Sequence, residues 1–224
     1  MNQELMKKTL EEAKQIHHLK EFRAFMRAFH GFTDEDFERV APVIEEKILV
    51  STLSDPVDMF ESILHELEPI WEKPPLPVNA HWHHFIVPGV LLASLRNCGY
   101  PFDDGDIKEG IDRGRSFLGG SCGFAGTCGG AFGVGIVLSI AKQTTPLHEQ
   151  ERSQVMEAVS DTLIEISKYP RRCCKRSSYI AIQKAVQYLN QEGYGSLNHR
   201  AIECPWHTKN RICLGSACLY FRKG

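Results

Sequence analysis

Seven of the eight cysteines in this 224-residue chain fall after residue 120, in three clusters, and they are the residues with the clearest capacity for chemistry. The first cluster is Cys122 and Cys128 in the stretch Gly119 to Gly133, which is crowded with glycine. Glycine allows positive φ and close approach of backbone to a ligand, so Gly123, Gly126 and Gly129 are candidates to cradle a cofactor. An apolar run from Val134 to Ala141 follows and reads as a buried helix. That places Cys128 at or near a helix N-terminus, where unpaired N–H groups and the dipole favour a thiolate. The second cluster is the vicinal pair Cys173–Cys174, flanked by Arg171, Arg172, Lys175 and Arg176 and set just before another apolar-periodic helix. Nearby cations and a helix start both lower a thiol pKa. The third is Cys204, Cys213 and Cys218, with His207 as a fourth potential donor. Its spacing is that of a metal-binding knuckle but not of a zinc ribbon or a ferredoxin run.

Histidines join this set. His83 and His84 precede the apolar segment Phe85 to Ala93, where clustered imidazoles can ligate metal or move protons near neutral pH. They are expected to face the cysteine-rich site. Cys122, Cys128, Cys173, Cys174, Cys204, Cys213 and Cys218 are the candidate metal ligands. His83, His84, Cys173 and Cys174 are the candidate reactive groups, and Arg172 and Lys175 are candidates to hold an anionic cofactor. Asp103, Asp104 and Asp106 lack the ligand positions of a calcium loop and read as a helix N-cap.

The elements that must position these groups are helical. Leu5 to Phe29 has helical apolar spacing and is expected as one helix ending near Gly31, with His17, His18 and His30 at polar or boundary positions. Thr33 and Asp36 form a capping-box signature, and Asp55–Pro56 opens a third helix. Pro88 is expected in the first turn of the helix that ends near Asn97, and Thr145–Pro146 at the start of another that Pro170 ends. The expectation is an all-α fold of about eight helices. A three-helix N-terminal module (1–75) joins a cysteine-rich helical domain (76–224) through a proline-rich connector around Glu72 to Pro77. A short hairpin is allowed for near Tyr194–Glu203 or Leu219–Arg222.

A net charge of −2 gives no electrostatic case for nucleic acid or an anionic membrane. No secretory signal is visible in the polar first twenty residues, so a cytoplasmic location is expected. There, eight cysteines suit metal or redox chemistry better than a disulfide framework.

Gly126-Thr127-Cys128-Gly129-Gly130-Ala131-Phe132-Gly133 resembles the core of the redox-active proteins named after their C-GCAxxG-C-C pattern. A closer resemblance, over about residues 77–224, is to an uncharacterised family of cysteine-rich bacterial and archaeal domains. It rests on H-H-x-x-V-P-x-x-L-L (His83 to Leu92), S-C-G-F-x-G-T-C-G (Ser121 to Gly129) and T-P-L (Thr145 to Leu147). R-C-C-K-R-x-S-Y (Arg172 to Tyr179) and the C-terminal Cys204, Asn210, Cys213 and Cys218 complete it. The resemblance implies a cysteine-rich metal or redox protein working beside a redox or methyltransferase partner protein. The expected function is therefore a thiolate-ligated, iron–sulfur-type redox protein in electron transfer or reductive chemistry. The alternatives are a metal-free thiol or sulfur-transfer enzyme and a zinc-stabilised interaction module.

Overall fold

A computed structural model describes residues 3–30, 33–72, 75–194 and 197–221. Among them are ten α-helices and no β-strand. The helices are α1 (Gln3–Lys14), α2 (Leu19–His30), α3 (Asp34–Val50), α4 (Pro56–Leu67), α5 (His83–Asn97), α6 (Asp104–Arg115), the single turn α7 (Ser121–Phe124), α8 (Gly129–Ala141), α9 (Glu149–Ser167) and α10 (Cys174–Gln191).

Two helices are buried nearly all round, α5 and α8, and the rest pack about them. Their sequences have apolar or small residues on every face, as a central helix requires. One hydrophobic cluster runs from Ile44 and Ile48 of α3 and Phe60 and Leu64 of α4 through α5 and α8 to Ile182 of α10. Trp206 and Tyr220 of the tail belong to the same cluster. The boundary expected at residues 75 and 76 adjoins Lys73 and Pro74, which lie outside the described residues, as does Gly31.

Caps written in the sequence are present. Thr33 and Asp36 close a reciprocal capping box on α3, Asp103 and Asp106 close another on α6, and the Asp55 carboxylate accepts from the N–H groups of Val57 and Asp58. Such caps satisfy donors that a helix start leaves orphaned, each worth about 1 kcal/mol.

Four expectations are corrected. The single helix over Leu5 to Phe29 is two, because the chain tightens into short bonds from Gln15 N to Glu12 O and Ile16 N to Ala13 O, then restarts with Phe22 N on His18 O. The N-terminal region therefore has four helices, not three. Pro88 lies inside α5 rather than in its first turn, since the helix begins at His83. Proline donates no N–H to the His84 carbonyl. Gly114 of α6 packs against that same carbonyl, where a Cβ would stand 2.6 Å from the oxygen. Thr145–Pro146 forms a turn, with the Thr145 N–H donating to His148 Nδ1, and α9 starts at Glu149. Instead of a hairpin, the described part of the tail has one isolated parallel bridge between Cys204 and Phe221, and residues 195, 196 and 222 lie outside the described set.

Candidate functional site

Two helix starts meet at the wall of a cavity of about 1050 Å³. Cys128 is the N-cap of α8, and Cys173 is the N-cap of α10 with Cys174 its first residue. Gly130 lets the two helices close together, because a Cβ there would be 3.0 Å from the Ser177 carbonyl oxygen. Cys122 comes from α7, whose N-cap Gly120 takes a φ of 97° that only glycine adopts freely. All four of these cysteines line the cavity, together with Gly123, Gly126 and Gly129. Part of the wall is supplied by α1 and α2, anchored over the glycine-rich loop by Phe22 against Phe124, ring centroids 5.3 Å apart.

His83 and His84 also line it. His83 Nδ1 bonds the Ala80 carbonyl at 2.7 Å, which leaves Nε2 buried without a partner. His84 Nδ1 bonds the Phe117 carbonyl at 3.0 Å, and its ring rests on Gly129. As each Nδ1 must donate to a carbonyl, each Nε2 is a bare lone pair. Burial holds His84 down to about 4, partly offset by the Phe117 bond, with Arg172 adding to the depression. Burial likewise holds His83 well below 6.5, reinforced by Lys175. The same cause, with His84, Arg23 and Arg27, brings His81 to about 3.

The thiols do not behave as the helix starts and cations suggested. Burial pushes Cys128 up, against the pull of the Gly130 N–H, the Ser177 hydroxyl and the Ala131 N–H. It pushes Cys173 up as well, and Cys174 to about 12 despite Arg172. Desolvation of a charged sulfur outweighs the dipole when the thiol lies deep in the wall. Only Cys122 is exposed; the other seven cysteines are half-buried, and all eight are free.

The vicinal pair divides two chambers. Cys174 faces the cavity and senses Cys128 and Cys122. Cys173 lines the cavity too, but it also borders a small void of about 10 Å³ with Cys204, Cys213 and Cys218. Asn210 Nδ2 donates to Cys173 Sγ at 3.4 Å, and the Gly215 N–H donates to Cys213 Sγ at 3.3 Å. The tail is pinned there by Trp206, whose indole N–H donates to the buried Glu61 carboxylate at 2.6 Å, while Tyr179 donates to its other oxygen. Burial pushes the Cys204 thiol up to about 11.

Lys175 belongs to this second chamber and not to the cavity wall. Its ammonium is fully buried with no hydrogen-bond partner, 4.3 Å from the Trp206 ring centroid and 5.2 Å from that of Phe60. Burial lowers it to about 8, against the favourable charge of Glu61. Arg171, Arg172 and Arg176 remain on the cavity wall.

Four lining residues carry no signal that the sequence reading used. Arg23 and Arg27 sit four apart on α2 and turn to the cavity, while only their apolar neighbours Phe22 and Met26 entered the helical pattern. Asn79, whose Oδ1 accepts from the Cys174 N–H at 2.9 Å, lies in the short stretch before His81, and Ser177 lies in the basic cysteine segment, where only the cysteines and cations are singled out.

The donor set of both chambers is sulfur and imidazole, which suits a soft or borderline metal. Among the described residues, no three Cys, His, Asp or Glu side chains stand close enough to hold an ion as they are arranged here. A single ion with metal–sulfur bonds of about 2.3 Å would need its thiols drawn to within about 4 Å of each other, whereas a cluster of several metals spans more.

Fold and site thus define an all-helical, cysteine-rich protein with thiols from separate segments brought to one cavity. The chain belongs to a family of unknown function, DUF5714, which matches residues 44–221. No curated protein and no solved structure matches it. No helix among the described residues is long and apolar enough to cross a membrane.

Proposed function

We propose that this protein is a redox protein whose cavity holds a thiolate-ligated metal, an iron–sulfur cluster being the best fit, with Cys122, Cys128 and Cys174 as ligands. His84 and Cys173, on the same cavity wall, are the candidates for a fourth. The observation that carries this reading is that Cys128 and Cys174, 46 residues apart, stand at two helix starts on one cavity wall. Bound there, a cluster would supply one-electron chemistry. The chain's own residues shape its surroundings: Gly129 and Gly130 let backbone and imidazole close in, and His84 Nε2 offers a proton acceptor beside the sulfurs. Electrons would come from a redox or methyltransferase partner protein in the cytoplasm, whose reducing conditions keep eight thiols free.

Metal-free thiol exchange needs an accessible thiolate, and burial works against that at Cys128 and Cys174. A second reading, a zinc-stabilised module, draws on the tail chamber, where Cys173, Cys204, Cys213 and Cys218 line one small void. Protein purified without oxygen tests both. Iron with acid-labile sulfide and visible absorption, lost in Cys128→Ser and Cys174→Ser but kept in Cys98→Ser, supports the cluster. Colourless protein holding only zinc, lost in Cys213→Ser, supports the module. Metal-free protein in which every thiol titrates would sink both.

A further inference from the structure

The cavity is selective in charge. Lys14, Arg23, Arg27, Arg171, Arg172 and Arg176 line it, and among the described lining residues there is no aspartate or glutamate. Yet acidic residues outnumber basic ones in the chain, 28 to 26. Two of the six cations are neutralised elsewhere: Lys14 by Glu11 at 2.6 Å and Arg27 by Asp34 at 2.5 Å. The other four have no carboxylate partner among the described residues.

What holds three of them is neutral. Arg171 Nη1 donates to the Cys213 carbonyl at 3.2 Å and Arg172 Nη2 to the Asn79 carbonyl at 3.4 Å. Arg176 donates to the Arg171 carbonyl and lies over the Tyr169 ring, 4.7 Å from its centroid. Carbonyl oxygens fix a guanidinium in place without cancelling its charge. These groups therefore spend part of their donor capacity on orientation and keep their positive field. They also come from separate elements, Arg23 from α2 and the others from the loop before α10 and its first turn. Like charges brought together across a concave, partly desolvated space repel each other unless something negative lies between them.

Two further polar atoms in the wall lack partners. His83 is 1% exposed and Ser178 also 1%, and neither His83 Nε2 nor Ser178 Oγ has a hydrogen-bond partner. Both residues line the cavity. Buried polar atoms left unpaired are costly and point to a ligand that satisfies them. The volume matches an organic molecule of cofactor size, with room beyond what a metal site alone would fill.

We infer that the cavity binds an anionic small molecule, a substrate bearing two or more carboxylate or phosphate charges, held by Arg23, Arg171, Arg172 and Arg176 beside the cysteines. The inference rests on the redox reading only for what is done to that substrate, not for its binding. In that setting Arg172 and Arg23 are binding residues supplied by separate elements.

The test is calorimetric titration of the protein as purified with pyrophosphate and, separately, with citrate, at fixed ionic strength. Both probes carry several charges, and comparing them separates a phosphate site from a carboxylate one. Saturable binding of either is expected, with slowed alkylation of Cys122. Arg172→Gln and Arg23→Gln should each weaken binding about tenfold or more, as loss of a charge-assisted hydrogen bond implies. Lys108→Gln, which removes an exposed charge from α6, should leave binding unchanged. The two arginine variants are on separate elements, so one serves if the other fails to fold. No saturable binding of either probe overturns the inference, as does binding that Lys108→Gln weakens as much as Arg23→Gln does. Loss of iron in Arg172→Gln without any probe binding to the parent protein also overturns it, and shows instead that the cations balance a cluster. Iron content is measured alongside, so failure of the metal reading is seen separately from failure of anion binding.

Discussion

The ring of His84 occupies the space that a side chain at Gly129 would need. A Cβ at position 129 would lie 2.0 Å from His84 Cδ2 and 2.6 Å from its Nε2. The imidazole cannot simply swing away, because Nδ1 is held by the Phe117 carbonyl and the ring packs edge-on to Phe117 at 5.2 Å. Gly129→Ala is therefore expected to destabilise the protein by about 1–3 kcal/mol, the usual range for overpacking. It should also displace the Cys128 N-cap and lower bound metal. Gly123→Ala is the comparison, since nothing lies within 4 Å of a Cβ there. Equal melting temperatures and metal contents for the two variants would refute this account.

Acid should unfold the protein steeply. His81, His83 and His84 stay neutral in the folded state well below 6.5, His81 to about 3 and His84 to about 4. Above 6.5 they are neutral folded or unfolded and contribute no slope. Between 6.5 and about 4 the unfolded chain takes up protons that the folded one refuses, so stability falls as pH falls. Urea titrations at pH 7.5 and 5 should show this, and His84→Gln should flatten the dependence. A pH-independent midpoint across that window would contradict the burial of these rings.

Lys175 is a buried cation whose ammonium finds aromatic faces but no acceptor. Desolvating an unpaired charge is costly, and Lys175→Met keeps most of the volume. The metal-free protein should gain stability from this change, seen as a higher melting temperature. If the tail thiols hold a metal, the same variant should retain it less well, because four thiolates would lose one of the two buried cations beside them, Arg176 being the other. A lower melting temperature together with unchanged metal content would show that Lys175 serves packing and its Glu61 neighbour alone.

For the tail itself, chelation and substitution should converge. A structural metal contributes on the order of 10 kcal/mol of binding energy to folding. Chelator treatment and Cys213→Ser are each expected to lower the melting temperature, and together no further than either alone. Cys122→Ser, in the other chamber, should leave that transition in place. Chelator that shifts nothing would reduce these cysteines to packing groups.

What could be read in advance was local. Thr33 with Asp36, Asp103 with Asp106, and Asp55 before Pro56 announce their caps because a cap is made by residues three apart or fewer. Cys128 and Cys173 were legible as helix-start residues for the same reason. The break between α1 and α2 was not, because Ile16 and Leu19 keep the apolar period across a chain that has stopped being helical. Nor was the helical position of Pro88, which depends on Gly114 packing against the carbonyl that proline cannot serve. Arg23 and Arg27 fall outside the apolar period of their helix, and only the packing of α2 over the glycine-rich loop brings them to the cavity. The thiol pKa directions were misjudged because helix starts and cations are visible along the chain, while depth of burial belongs to the folded shape.

Cys173 and Cys174 are neighbours on the backbone, about 3.8 Å apart at Cα; both line the cavity, and Cys173 alone also borders the tail void. One peptide unit joins them, from the extended N-cap to the first residue of α10. A shift of the Cys173 backbone toward the tail sulfurs is passed through that peptide unit to the start of α10, where Cys174 stands. The tail can thus act as a lever on the cavity. Oxidation, metal loading or proteolysis more than 30 residues downstream would be transmitted mechanically to the place where α8 and α10 begin.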